Sequence, residues 1–315
     1  MAILNKISRI NQSRLVWKWV LNFDRVLRHR LEEGSDQYLN AYVETLRREG
    51  IALLRPEEIF DQDGLLLLDE IAALVGDKLQ EREVQEMLRG GHSGSGRKEF
   101  FYPLFAGDYE AGSPFIQLAL QPRLLEVVNR YMGMRSYLRS VEAWLNFPTP
   151  GVAKETQLWH RDGDDFMNVK VFVYLTDVDE NNGPFCFIPR THLTGDLNAA
   201  QDLVGKDGEV IVKAGCHIGK VPAGTGGRVT DEDMAKAIPK EHWKVCTAPA
   251  KTVVVADTTA YHRGLKPVTG HRLLLQLQYT SGRPWWPRGF TLRGSLGPTF
   301  EDKQKYALFA KGVKE

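Results

Sequence analysis

The segment Gln157-Leu158-Trp159-His160-Arg161-Asp162-Gly163 sets an imidazole and a carboxylate two residues apart. In extended backbone, residues i and i+2 project to the same face, so His160 and Asp162 can reach one point as two cis ligands on a metal. The pair alone carries little weight, because a His-x-Asp arises by chance in roughly every second chain of this size. A second group stands further along. Thr252 to Asp257 reads as a buried strand, His262 follows it, and a turn at Pro267 and Gly270 leads into His271-Arg272-Leu273-Leu274-Leu275-Gln276-Leu277-Gln278-Tyr279-Thr280. In that strand Arg272, Leu274, Gln276, Gln278 and Thr280 share one face, and Leu273, Leu275, Leu277 and Tyr279 share the other. A face with one Arg and two Gln either meets water or lines a polar cavity. The turn would bring Arg272 back alongside His262. An arginine beside a metal ligand suits a small dicarboxylate that chelates the metal at one end and forms a bidentate ion pair at the other.

Between these groups lies Glu180-Asn181-Asn182-Gly183-Pro184-Phe185, then Ile188-Pro189-Arg190-Thr191-His192. The order His160-x-Asp162, this segment, His262, and Arg272 ten residues later resembles the phytanoyl-CoA dioxygenase family of Fe(II)/2-oxoglutarate oxygenases, over residues 136–287. The resemblance implies iron held by His160, Asp162 and His262, the facial triad that leaves three positions open for 2-oxoglutarate and O2. It implies a 2-oxoglutarate distal carboxylate on Arg272, and conversion of 2-oxoglutarate and O2 to succinate and CO2. The coupled reaction would be hydroxylation of an unactivated C–H bond of a small or lipid-like molecule. Related halogenases carry a small residue in place of the carboxylate ligand, so Asp162 favours hydroxylation, with desaturation or cyclisation left open. Nothing in the chain recognisably binds coenzyme A.

Relatives often carry a polar residue near Gln157, which makes it a co-substrate candidate. It lies three residues before His160, on the opposite face of a regular strand, so that role needs a bulge or twist. Many relatives place a hydroxyl two residues after the distal His, where this chain has Gly264. The second contact to the distal carboxylate is therefore open among Asn146, Tyr174, Thr252 and Thr280. Asp164, Asp165 and Phe166 follow the metal-binding segment and are candidate substrate contacts, against a solvent-facing turn. Phe101, Tyr102, Trp285 and Trp286 are candidates for the pocket wall, against core filling. His192 is expected to fix a loop by hydrogen bonding. Residues 224–228 lack the Gly-Lys-Ser/Thr ending of a phosphate cradle and read as loop.

Two other readings use the same residues. Two His and a carboxylate also suit a zinc-dependent hydrolase or lyase, although no His-Glu-x-x-His is present and Arg272 is then unexplained. A non-catalytic jelly-roll binding protein would also carry the motif, but all three ligands are retained.

Apolar spacing of three and four predicts helices over residues 12–33, 35–48, 67–89 and 123–132, with Ser35 as an N-cap. A period of two or short apolar runs predict strands over 137–146, 168–176, 251–256 and 271–280. Helices followed by strands give an α+β protein with a mainly β core. With the resemblance, the core is expected to be a double-stranded β-helix (jelly roll, cupin-like) with N-terminal helices packed on it. One oxygenase domain would span 1–315: a mainly helical part over 1–135, the β-helix core over 136–290, and a lid-like insertion over 194–249. Residues 90–96 (GGHSGSG) read as a linker.

At 315 residues, 43% hydrophobic and 26% charged, the chain can bury a full-sized core. A net charge of +1 provides no general attraction to nucleic acid. Cys186, Cys216 and Cys246 form no C-x-x-C pair, so a reducing, cytoplasmic setting is expected, and no run approaches the apolar length of a membrane span. The first thirty residues carry seven basic side chains against Asp24 alone, a net +6, interleaved with Trp17, Trp19, Leu21, Phe23, Val26 and Leu27. A basic, Trp-bearing amphipathic helix suits a membrane interface. The alternative is an apolar stripe packed on the sheet with the charges solvated.

Overall fold

The computed structural model describes residues 14–32, 37–89, 100–199, 203–204, 210–212, 228–284, 289–294 and 300–308. Ser35, the 90–96 linker, Cys216, Gly224–Gly227, Trp285 and Trp286 lie outside the described residues. In chain order the strands that build the site are β1 (Ile51–Leu54), β2 (Phe101–Phe105), β3 (Tyr137–Asn146), β4 (Val169–Tyr174), β5 (Phe185–Phe187), β6 (Lys244–Cys246), β7 (Val253–Asp257), β8 (His262–Gly264) and β9 (Arg272–Thr280). Six of them form an antiparallel sheet in the order β1-β7-β4-β9-β3-β2, and three form a second sheet in the order β8-β5-β6.

Alternation along β9 decides what each face of the large sheet meets. Leu273, Leu275, Leu277 and Tyr279 join Val171 and Val173 of β4, Val253 and Val255 of β7, and the helices in one apolar cluster. The helices concerned are α1 (Phe23–Glu32), α2 (Gln37–Glu49), α3 (Gln62–Leu79), α4 (Arg82–Leu88), α5 (Pro114–Ala119) and α6 (Pro122–Met132). On the other face Phe172, Tyr174, Val254 and Leu274 pack against Phe185, Phe187 and Cys246 of the small sheet. The result is three layers: helices, large sheet, small sheet.

The elements differ from the expected spans in three places. The long helix expected over 67–89 is two, α3 and α4, with Gln80 closing one and Glu81 opening the next. The N-terminal helix contains a π turn at Trp17–Leu21, and Asn22 then interrupts it by donating from Nδ2 to the Trp17 carbonyl at 2.9 Å. Strands β1 and β2, absent from the sequence reading, are four and five residues long, too short for a periodic signal.

The 194–249 segment is not uniformly a lid. It contains α7 (Asp231–Ala237), capped by Thr230, but it ends in β6, which belongs to the small sheet. Gly183 sits at φ +83°, and a Cβ there would lie 2.5 Å from the Leu265 carbonyl, so only glycine lets the chain before β5 close against the chain after β8.

Candidate active site

His160 lies outside the regular strands, yet its backbone is fixed directly across from His262. Each residue donates its N–H to the other's carbonyl at 3.0 Å, an isolated antiparallel bridge that sets the two rings side by side with centroids 4.3 Å apart. The Asp162 N–H donates to the Thr258 carbonyl at 2.8 Å, which ties the third residue to the chain just after β7. One ligand atom from each of His160, Asp162 and His262 lies within 4.8 Å of the others, close enough for one ion to bind all three.

The protonation pattern suits a metal. His160 Nδ1 is 2.8 Å from the Leu158 carbonyl and His262 Nδ1 is 3.0 Å from the Ala260 carbonyl. A carbonyl only accepts, so each Nδ1 carries the proton and each Nε2 presents a lone pair. Burial, with His262 adjacent, lowers His160 to about 3, and burial also lowers His262, so both rings are neutral at physiological pH. Burial works to raise Asp162, but Lys170 and the two imidazoles hold it well below the usual carboxylate range. Lys170 Nζ lies 2.8 Å from Asp162 Oδ2, and Asn168 Nδ2 donates to the same oxygen at 3.3 Å. No donor among the described residues reaches Oδ1.

Arg272 opens β9 opposite Asn146 of β3, and its Nη2 donates to Asn146 Oδ1 at 3.0 Å. The guanidinium is buried, and its Nε and Nη1 have no acceptor among the described residues. A buried cation with unmatched donors is costly unless a carboxylate meets it. Beside it Gly264 leaves room, since a Cβ there would lie 3.4 Å from Nη2. These features fit the far end of a metal-chelating dicarboxylate.

A cavity of about 530 Å³ joins the triad to Arg272. Asn146, Leu274, Gln276 and Gln278 line it as the polar face of β9 and its partner strand, together with Phe101, Arg139, Ser140, Glu142, Trp144, Asp164, Lys170, Phe172 and Phe185. Arg139 pairs with Asp164 at 2.6 Å, Gln278 donates to Asp164 at 3.0 Å, and Gln276 donates to Glu142 at 3.0 Å.

Of the other expected site residues, Asp164 reaches the cavity and most are placed elsewhere. Gln157 is in a 3₁₀ turn, Glu155–Gln157, and not on a strand with His160; its Oε1 accepts from the Lys154 N–H at 3.1 Å, and Thr156 lines the cavity instead. Tyr174 donates its hydroxyl to the Cys246 carbonyl at 2.8 Å and lies between the sheets. Asp164 faces the cavity, whereas Asp165 is buried beneath it, accepting from Trp17 Nε1, the Phe166 N–H and the Ser281 N–H, each at 2.7 Å. Phe166 packs on the Trp17 ring at 5.2 Å. His192 Nε2 reaches the Arg47 carbonyl at 3.2 Å, a loop contact. Lys170, Arg139 and Glu142 are among the cavity residues that sequence reasoning missed.

The profile of the phytanoyl-CoA dioxygenase (PhyH) family matches residues 60–264, about two thirds of the chain. The chain belongs to the phytanoyl-CoA dioxygenase family. Membership makes it a non-haem iron, 2-oxoglutarate-dependent oxygenase, and the His-Asp-His group supplies the metal site this class requires. The family fold is shared with EctD from S. alaskensis with bound Fe, at 18% identity and a TM-score of 0.51, covering 84% of each chain. HygX from Streptomyces hygroscopicus, with nickel and 2-oxoglutarate bound, is similar at 16% identity and a TM-score of 0.45, covering 78% of this chain and 87% of that one. No curated protein matches the chain.

Proposed function

We propose that this oxygenase hydroxylates an unactivated C–H bond of a small polar molecule. The observation that carries the reading is the buried Arg272 guanidinium, with two unmatched donors, opening on the same cavity as His160, Asp162 and His262. His160, Asp162 and His262 would hold Fe(II), and Arg272, fixed by Asn146, would take the distal carboxylate of 2-oxoglutarate. Bound together, iron and 2-oxoglutarate supply O2 activation and removal of hydrogen from carbon. The chain supplies placement. Neutral imidazoles present Nε2, Lys170 occupies the outer oxygen of Asp162, and the cavity walls orient the substrate. With Asp162 in the triad, hydroxylation is favoured over halogenation. The two-sheet core is read as a double-stranded β-helix with its ligands at the open end.

The cavity wall favours a polar substrate over a lipid-like one. Arg139, Glu142, Asp164, Lys170, Gln276 and Gln278 cover one side, and an alkyl chain laid against them would strip their hydration without replacing it. Aromatic faces at Phe101, Trp144 and Phe172 complete the wall. Succinate release tests this. Molecules bearing several hydroxyl or amino groups are expected to stimulate 2-oxoglutarate turnover, and stimulation by fatty acids or acyl thioesters alone would contradict the reading.

A further inference from the structure

We propose that the outward face of the N-terminal helix docks this protein onto anionic lipid surfaces. Leu15, Trp19, Phe23, Leu27 and Leu31 recur at every fourth position and are between 37% and 77% exposed. On a regular α-helix such a stripe drifts around the axis, but the wider π turn at Trp17–Leu21 offsets part of the drift. These side chains do not pack on the sheet. The buried side of the helix is a different one, made by Trp17, Asn22, Arg25, Val26 and His29.

The helix is held so that the apolar stripe cannot turn inward. Trp17 donates its indole N–H to Asp165 at 2.7 Å, and Arg25 Nη1 donates to the Arg135 and Ser136 carbonyls at 3.0 Å each. Rotation to bury the stripe would break these buried hydrogen bonds and expose Val26.

Charge selects the occupant. Arg14, Arg28 and Arg30 are exposed along the same helix, and the Arg30 guanidinium lies over the Trp19 ring at 4.5 Å. A symmetric contact between two copies would set these cations against one another. An anionic headgroup layer meets them with opposite charge, while Trp19, Phe23, Leu27 and Leu31 enter the acyl boundary. No helix among the described residues is long and apolar enough to cross a membrane, so the contact is peripheral.

Co-sedimentation of the full chain with vesicles tests the proposal independently of the oxygenase activity. The protein should pellet with phosphatidylcholine vesicles containing phosphatidylserine and remain in solution with phosphatidylcholine alone. Raising salt, or the pair Arg28→Glu with Arg30→Glu, should weaken binding at least about tenfold. Leu27→Glu with Leu31→Glu, both on the exposed stripe, should abolish binding while leaving the thermal transition in place. Failure to pellet, equal binding to neutral vesicles, or binding indifferent to both variant pairs would overturn the proposal. So would a dimer in sedimentation velocity that Leu27→Glu with Leu31→Glu dissociates, because the face would then join two copies of the chain.

Discussion

Lys170 Nζ lies 2.8 Å from Asp162 Oδ2, a largely buried ion pair, 16% and 15% exposed, joining the middle of the large sheet to the carboxylate of the metal triad. Burial opposes the ammonium, but Asp162, with Asp164 and Glu142 nearby, raises Lys170 so that it stays charged. The pair keeps Asp162 ionised and turned so that Oδ1 is left for a metal. Lys170→Met removes the cation and leaves a largely buried carboxylate without its counter-charge, with Asn168 still donating to it, at a cost of about 3 kcal/mol in the metal-free protein. A bound divalent ion replaces the missing charge. Thermal unfolding with and without Mn(II) should show a larger metal-induced rise in Tm for Lys170→Met than for wild type, and equal rises would contradict this role.

Arg272 poses the opposite case. Its guanidinium is buried with Nε and Nη1 unmatched, so the charge costs stability until a carboxylate meets it. Arg272→Met fills the space without charge and is expected to raise Tm or leave it unchanged in the absence of 2-oxoglutarate. The same variant should lose the stabilisation that 2-oxoglutarate confers on the Mn(II)-loaded wild type. A clear drop in ligand-free Tm would show that Arg272 is a structural residue.

Asp165 provides a pH signature away from the metal. Burial pushes its carboxyl up to about 6, against the pull of its hydrogen bonds from Ser281, Phe166 and Trp17. The folded value lies above the unfolded one, so between pH about 4 and about 6 the folded chain keeps a proton that the unfolded chain has lost. Stability from this group is therefore greatest at low pH and falls by about 1.4 kcal/mol per unit as pH rises through that window. Asp165→Asn does not titrate. The stability of wild type minus that of Asp165→Asn, from denaturant unfolding, should fall by up to about 3 kcal/mol between pH 4 and pH 7. A pH-independent difference would refute the assignment.

The triad was legible through the order of motifs that carries the family resemblance, and Arg272 also through a strand whose polar and apolar faces separate cleanly. The two faces of β9 meet the cavity and the helices as that alternation implies. Lys170 was not legible. In Val169-Lys170-Val171-Phe172 a single lysine reads as the solvent side of a strand, and only the chain bearing His160 and Asp162 converts that side into a cavity wall. Arg139 was hidden by a register shift, since Gln278 pairs with Ser140 but Tyr279 with Leu138, which leaves Arg139 as an extra residue. Asp165 and Phe166 turn away from the cavity because Trp17, 148 residues from Asp165 in sequence, receives them. The outward stripe of the N-terminal helix was visible as composition, but which side it buried depended on these same distant contacts.

The most direct test of the central claim is anaerobic titration of Fe(II) into the purified protein with 2-oxoglutarate, following the weak visible charge-transfer band of a metal-chelated keto acid, with Asp162→Ala and Arg272→Ala alongside. Wild type should develop the band, Asp162→Ala should not, and Arg272→Ala should require at least about tenfold more 2-oxoglutarate, as loss of a bidentate ion pair implies. Absence of the band in wild type, with tight zinc binding in its place, would contradict the account and point to hydrolytic chemistry.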